Sequence, residues 1–198
     1  MSSHHFVKEG QEPAIFITES LSLELIEPLL EWAPLVMITD ELIDDVIRWG
    51  FKIDVVVAQT ANQEIVADKM AAQVPFKIIP YQDEENSVIA GFNYLLNQNQ
   101  QAVHVISSSP EIFSVIHDFI TRLDVTILNE SARWSYSKNG EYDKWLPAAS
   151  KIKLKRSVEK QVLTFHLLKE DDDGIFEAVK DGIVEVRSKD PFWIGEIL

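Results

Sequence analysis

Six short apolar runs, the first five each followed by a stretch of helical spacing, dominate the chain up to Leu128. Ala14-Ile15-Phe16-Ile17-Thr18, Leu35-Val36-Met37-Ile38, Asp54 to Val57, Phe76-Lys77-Ile78-Ile79, Ala102 to Ile106 and Val125-Thr126-Ile127-Leu128 read as strands. Runs that lack a polar alternate belong to strands covered on both faces, the situation of a parallel sheet flanked by helices. Between them, Leu23, Ile26, Leu29 and Leu30 follow Ser20 or Ser22 as a cap. Leu42, Ile43, Val46 and Ile47 follow Asp40 as an N-cap, with Gly50 as the stop. Gln63 to Gln73 is expected to be helical with Ile65, Val66 and Met70 turned inward. Val88 to Leu96 and Pro110 to Arg122 complete the helices. Strands alternating with helices of about ten residues predict right-handed βαβ units. The class is α/β, an open and mostly parallel sheet with helices on both faces, over residues 1–130.

After Asn129 the pattern changes. Arg133-Trp134-Ser135-Tyr136, Lys151 to Lys155, Val162 to His166 and Gly182 to Val186 alternate with period two, and Asn139-Gly140, Asp173-Gly174 and Asp181-Gly182 punctuate them. Residues 131–198 are expected to form a small antiparallel, sandwich-like β domain with one face wet. A block of roughly 65 residues has little core of its own, so the first domain or a second subunit is an expected support. Asp171-Asp172-Asp173-Gly174 is read as a hairpin turn rather than a calcium loop, since later ligands are missing. His4-His5 is read as part of a frayed end rather than a metal site.

The formal charge is -14, from carboxylates spread along the chain. Such a field opposes nucleic acid and anionic membrane surfaces, and it opposes ATP unless a cation or a basic cluster intervenes. With no cysteine, thiolate catalysis and cysteine-held metals are excluded. A soluble, cytoplasmic protein is expected. In an open α/β sheet, ligands bind beyond the carboxyl ends of the strands. The corresponding loop after the third strand, Ala58-Gln59-Thr60-Ala61-Asn62, holds no carboxylate, lysine, glycine or histidine.

An α/β half followed by a small β half, with Lys52 to Val57 after a Trp49-Gly50 helix end, resembles thiamine pyrophosphokinase. In that family a G-D-x-D-S/R loop follows the third strand, P-D-x-D-x-T-D the fourth and G-G/R-R-x-D-H the fifth. The carboxylates hold Mg²⁺ against ATP, and thiamine sits at a dimer interface partly on the β domain. The family's first-loop glycine and two aspartates fall on Ala58, Gln59 and Ala61 here. The second segment reads Pro80 to Asn86; its middle aspartate is Asp83, its first is Tyr81, and its Thr-Asp pair is Glu85-Asn86. The third reads Ser107 to Val115 and includes Ser114, with no arginine or histidine. Lys144-Trp145 matches a K-W segment. Lys151 to Lys155 matches I-S-L-I-P with Lys153 in place of serine, and Asp181-Gly182 matches a D-G turn.

The resemblance implies a thiamine pyrophosphokinase scaffold whose catalytic positions Gln59, Ala61, Asn86 and Ser114 are degenerate. Mg²⁺ prefers charged and hard oxygens, and an amide brings no charge. The expectation is therefore a non-catalytic, small-molecule-binding or structural homodimer, with thiamine or a relative as ligand and no cofactor. The alternative is an active, ATP- and Mg²⁺-dependent kinase whose metal ligands have moved to Asp83, Glu84 and Glu85, with Asp40 across the crevice. Asp40, Trp145 and Lys153 are candidate ligand-binding residues. Lys151, Lys153, Lys155 and Arg156 form a basic patch, read as a solvated strand face or as an anion contact. Trp134, Trp145 and Trp193 are read equally as a pocket for a ring cation or as packing of a thin domain.

Overall fold

The computed structural model describes residues 12–82, 84–158 and 161–198. His4, His5 and Asp83 lie outside the described residues. The chain divides into two compact units, one ending at Glu130 and the other spanning Ser131–Leu198. Among the described residues no helix is long and apolar enough to cross a membrane.

In the first unit the strands are β1 (Ala14–Ile17), β2 (Val36–Thr39), β3 (Val55–Gln59), β4 (Lys77–Tyr81), β5 (Ala102–Ile106) and β6 (Asp124–Leu128). They form a parallel array in the order β6-β5-β1-β2-β3-β4. The helices are α1 (Leu23–Leu30), α2 (Ile43–Trp49), α3 (Gln63–Lys69), α4 (Ser87–Asn97) and α5 (Ile112–Val115). Strand alternation sends Ile15, Ile17, Ile38, Val56 and Ala58 into one core with Ile26, Ile43, Val46 and Val66 of α1, α2 and α3. Phe16 and Met37 point the other way, where Gly91 of α4 lies against both and Phe92 stacks near Phe16. Helices therefore cover both faces, which is why the strands read as unbroken apolar runs.

Three local expectations change. The segment 110–122 keeps only one helical turn, α5. Beyond it, bonds to the third residue back take over, such as Phe119 N–H to Ile116 O (2.9 Å) and Arg122 N–H to Phe119 O (2.9 Å). Ile112, Ile116, Phe119, Ile120 and Leu123 are buried, which explains the helical spacing, but β-branched and aromatic residues are poor helix formers. The helix from Gln63 ends at Lys69, and Ala71–Gln73 is a 3₁₀ turn. Ile65 is 57% exposed while Val66 and Met70 are buried, because successive helical residues cannot face the same sheet. Finally, Asp40 is not an N-cap. Thr39 holds that position, and Asp40 opens a 3₁₀ turn over Asp40–Leu42 ahead of α2.

The second unit is an antiparallel sandwich. Its strands are β7 (Ala132–Ser137), β8 (Glu141–Leu146), β9 (Lys151–Arg156), β10 (Leu163–His166), β11 (Leu168–Glu170), β12 (Ile175–Ala178), β13 (Gly182–Ser188) and β14 (Phe192–Ile197). One layer runs β11-β12-β9-β14-β7 and the other β10-β13-β8. Ile152, Phe176, Phe192 and Ile194 of the first layer meet Leu146, Val184 and Val186 of the second. The Asp171 turn joins β11 to β12, with Asp171 Oδ1 accepting from Asp173 N–H (3.0 Å) and Ile175 N–H (2.8 Å).

Candidate functional site

Chain order runs β1 to β4 in one direction across the sheet, then places β5 on the other side of β1. The carboxyl ends of β1 and β5 therefore flank the topological switch point, where α/β sheets bind ligands. Thr18 ties these ends together, its N–H (3.1 Å) and its hydroxyl (3.0 Å) both donating to Ile106 O. The next residue, Glu19, lies over the loop after β5. Its Oε1 accepts from the Ser107 hydroxyl (3.1 Å) and Ser109 N–H (3.0 Å), and its Oε2 accepts from Ser108 N–H (2.8 Å). Beside them the Ser109 hydroxyl donates to Glu111, and this bond and Glu111's own N–H hold that exposed carboxyl below the usual carboxylate range.

Further along the same edge, Asp40 bridges the loops after β2 and β3. Its Oδ2 accepts from Gln59 N–H (3.3 Å) and from the Asn62 side-chain amide (2.8 Å). Its Oδ1 is buried with no hydrogen-bond partner among the described residues. Gln59 thus acts through its backbone, and Ala61 is exposed on the 3₁₀ turn Thr60–Asn62. The Thr60 hydroxyl donates to Tyr81 O (2.9 Å) and joins this turn to the end of β4.

Glu84 and Glu85 are exposed and line a cavity of about 430 Å³ with Thr60, Pro80, Tyr81 and Gln82. Asp40 lines a different cavity, of about 230 Å³, with Glu41, Asn62, Val66 and Lys69. Lys69 is itself paired with Asp44 at 2.6 Å. Among the described residues Glu85 Oε2 accepts a long bond from Gln82 N–H (3.5 Å). Asn86 is the N-cap of α4, its Oδ1 accepting from Val88 N–H (2.9 Å) and Ile89 N–H (3.4 Å). The Ser114 hydroxyl bonds back to Glu111 O (2.7 Å) within the α5 turn.

Glu19, Asp40, Glu41, Glu84, Glu85 and Glu111 all follow strand carboxyl ends, so this edge is negative. It favours cations and opposes phosphates. A Mg²⁺ ion needs about six oxygen ligands in near-octahedral order, several of them water. Among the described residues no three histidine or acidic side chains stand together to hold one, and Asp40 is committed to two amides. The described donors do not fit that ion.

In the second unit, Lys153 and Trp145 occupy different layers. Lys153 stands opposite Gly195 and Ile175, on the face of β9 turned away from the core. Trp134 shares that face, lying so close to Gly195 that an added Cβ would sit 2.7 Å from its ring. Trp193 is buried there beside Tyr136, ring centres 5.0 Å apart. Trp145 lies on β8, paired with Ile183 and 60% exposed. Within one chain the three tryptophans therefore do not line one pocket. Glu19 is the residue that sequence reasoning missed, because nothing local in Thr18-Glu19-Ser20 marks it before β1 and β5 are known to be neighbours.

Neither a protein-family model nor a curated protein matches the chain. Solved structures do match it. Thiamine pyrophosphokinase from Bacillus subtilis superposes with a TM-score of 0.68 at 10% identity, covering 92% of this chain and 98% of that one. The enzyme from Geobacillus thermodenitrificans gives 0.70 at 11% identity, covering 92% and 97%. That from Candida albicans gives 0.66 at 11% identity, covering 96% and 90%. At such identities the likeness is one of architecture: the chain carries the thiamine pyrophosphokinase fold.

Proposed function

We propose that this protein has the pyrophosphokinase architecture without pyrophosphoryl transfer, and works as a small-molecule-binding or structural homodimer. The observation that carries this reading is the Asp40 bridge. Its carboxylate is engaged by Gln59 and Asn62, in the loop where the resemblance calls for two metal-binding aspartates. Phosphoryl transfer relies on positioning and charge neutralisation, and losing one such group costs about 3 kcal/mol, or roughly a hundredfold or more. The negative strand edge supports the reading further, since it repels a nucleotide. The dimer part draws on β8 and β13, where Trp145 and Ile183 face each other 60% and 55% exposed.

One observation favours a second reading. Glu84 and Glu85 stand exposed along the cavity beside Thr60, where a nucleotide-bound cation would meet them. An assay for AMP release with thiamine, ATP and Mg²⁺ separates the two. No release above the protein-free background is expected. Robust turnover that disappears in Asp83→Ala would establish the kinase instead. Binding without turnover predicts that thiamine or its diphosphate raises the melting temperature with no Mg²⁺ requirement.

A further inference from the structure

We propose that the Ser107–Ser109 loop is an oxyanion cradle that the chain keeps filled with its own Glu19 carboxylate, so that a phosphate-type ligand binds there only when Glu19 is displaced. Three donors from three successive residues converge on one carboxylate: the Ser107 hydroxyl and the Ser108 and Ser109 N–H groups. Ser107 is 2% exposed, and its own N–H is tied to Leu128 O (3.1 Å), which sets the hydroxyl's position. On the other side, the double bond of Thr18 to Ile106 O fixes where Glu19 begins. Both halves of the contact are thus held by the sheet itself, 88 residues apart in the chain.

The chemistry of the cradle is that of an anion site. Consecutive backbone N–H groups and a hydroxyl aimed at one point form a concavity of positive partial charge. Two oxygens of a carboxylate and two of a phosphate are spaced alike, so the same donors serve either. The cradle also lies at the sheet's switch point, the place where ligands bind in open α/β sheets. What occupies it is a side chain of an already acidic protein, placed beside a second carboxylate, Glu111. The three donors offset that repulsion with charge-assisted bonds. Glu19 therefore stands where an incoming phosphate would sit. This holds whether or not the chain turns over ATP, because it concerns occupancy and not transfer.

The test follows the Ser108 and Ser109 amide resonances of the full chain during titration with inorganic phosphate at constant ionic strength. In the unaltered protein these resonances stay in place. In Glu19→Ala they move saturably, at phosphate concentrations about tenfold or more below any that shift them in the unaltered protein. Glu19→Gln, which keeps the side chain's size, gives a smaller gain and serves if the alanine variant does not fold. Glu111→Ala removes a neighbouring negative charge without emptying the cradle, and no gain is expected. The proposal is overturned if the folded Glu19 variants show no phosphate-dependent shift at these amides. It is equally overturned if the unaltered protein shifts with the same affinity, or if Glu111→Ala gains as much as Glu19→Ala.

Discussion

The hydroxyl of Tyr142 donates to Glu196 Oε1 (3.1 Å) within the sandwich, while Lys144 holds Glu196 Oε2 (2.5 Å). Burial and then the Glu196 charge push the phenol's ionisation well above the tyrosine range. In the unfolded chain it ionises near pH 10, by its ordinary value of about 10. The folded pKa is the higher one, so this group's contribution to stability is intact below about pH 10 and falls as pH rises beyond it. Ultraviolet titration should show Tyr142 still protonated after exposed tyrosines have ionised, a step absent from Tyr142→Phe. Glu196→Ala leaves a partly buried hydroxyl and an ammonium without their acceptor, and about 1–3 kcal/mol of stability should be lost in urea unfolding. A midpoint unchanged from the original protein would show that the trio contributes nothing.

Among the elements, α4 is seated by one residue. A Cβ added to Gly91 would lie 2.5 Å from Phe16 Cε1 and 2.6 Å from Cζ, with Met37 Cε at 3.2 Å. Phe16 is fully buried against Phe92 and has little room to yield. Gly91→Ala gains about 1 kcal/mol of helix propensity but meets an overpacking cost of about 1–3 kcal/mol. A net loss is expected, seen as a lower melting temperature, and a rise would mean that the helix shifts without strain. The six parallel strands were legible as elements because they are apolar runs, whereas β8, β11, β12 and β14 of the second unit carry no such run and were not read as strands. The α4 helix was legible from Val88 to Leu96, with its true start one residue earlier at Ser87 and its cap at Asn86. The stretch 110–122 was not, since buried residues at helical spacing do not distinguish a helix from tight turns that bury the same side chains. Asp40 was misread for a related reason: an acid ahead of an apolar helix suits a cap, but the Gln59 and Asn62 donors offered a bridge instead.

At the scale of the whole molecule, the homodimer reading predicts that sedimentation gives twice the 22.6 kDa chain mass. Replacing Trp145 and Ile183 with serine should shift the protein toward monomer, while a monomer before any substitution would remove the dimer from the reading. The amino-acid order alone determined the α/β half, the β half after Asn129 and the likeness to thiamine pyrophosphokinases. The first two rest on periodicity, a local quantity, and the likeness rests on the order of its matching segments along the whole chain. Tertiary structure decided the rest. Glu19 meets Ser107 only because β5 returns to lie beside β1, and Asp40 meets Asn62 only because the loops after β2 and β3 converge. Trp145 and Lys153 part company because β8 and β9 enter different layers. Contacts between distant residues depend on strand order, and a loop's residues carry no local mark of which strand end they will face.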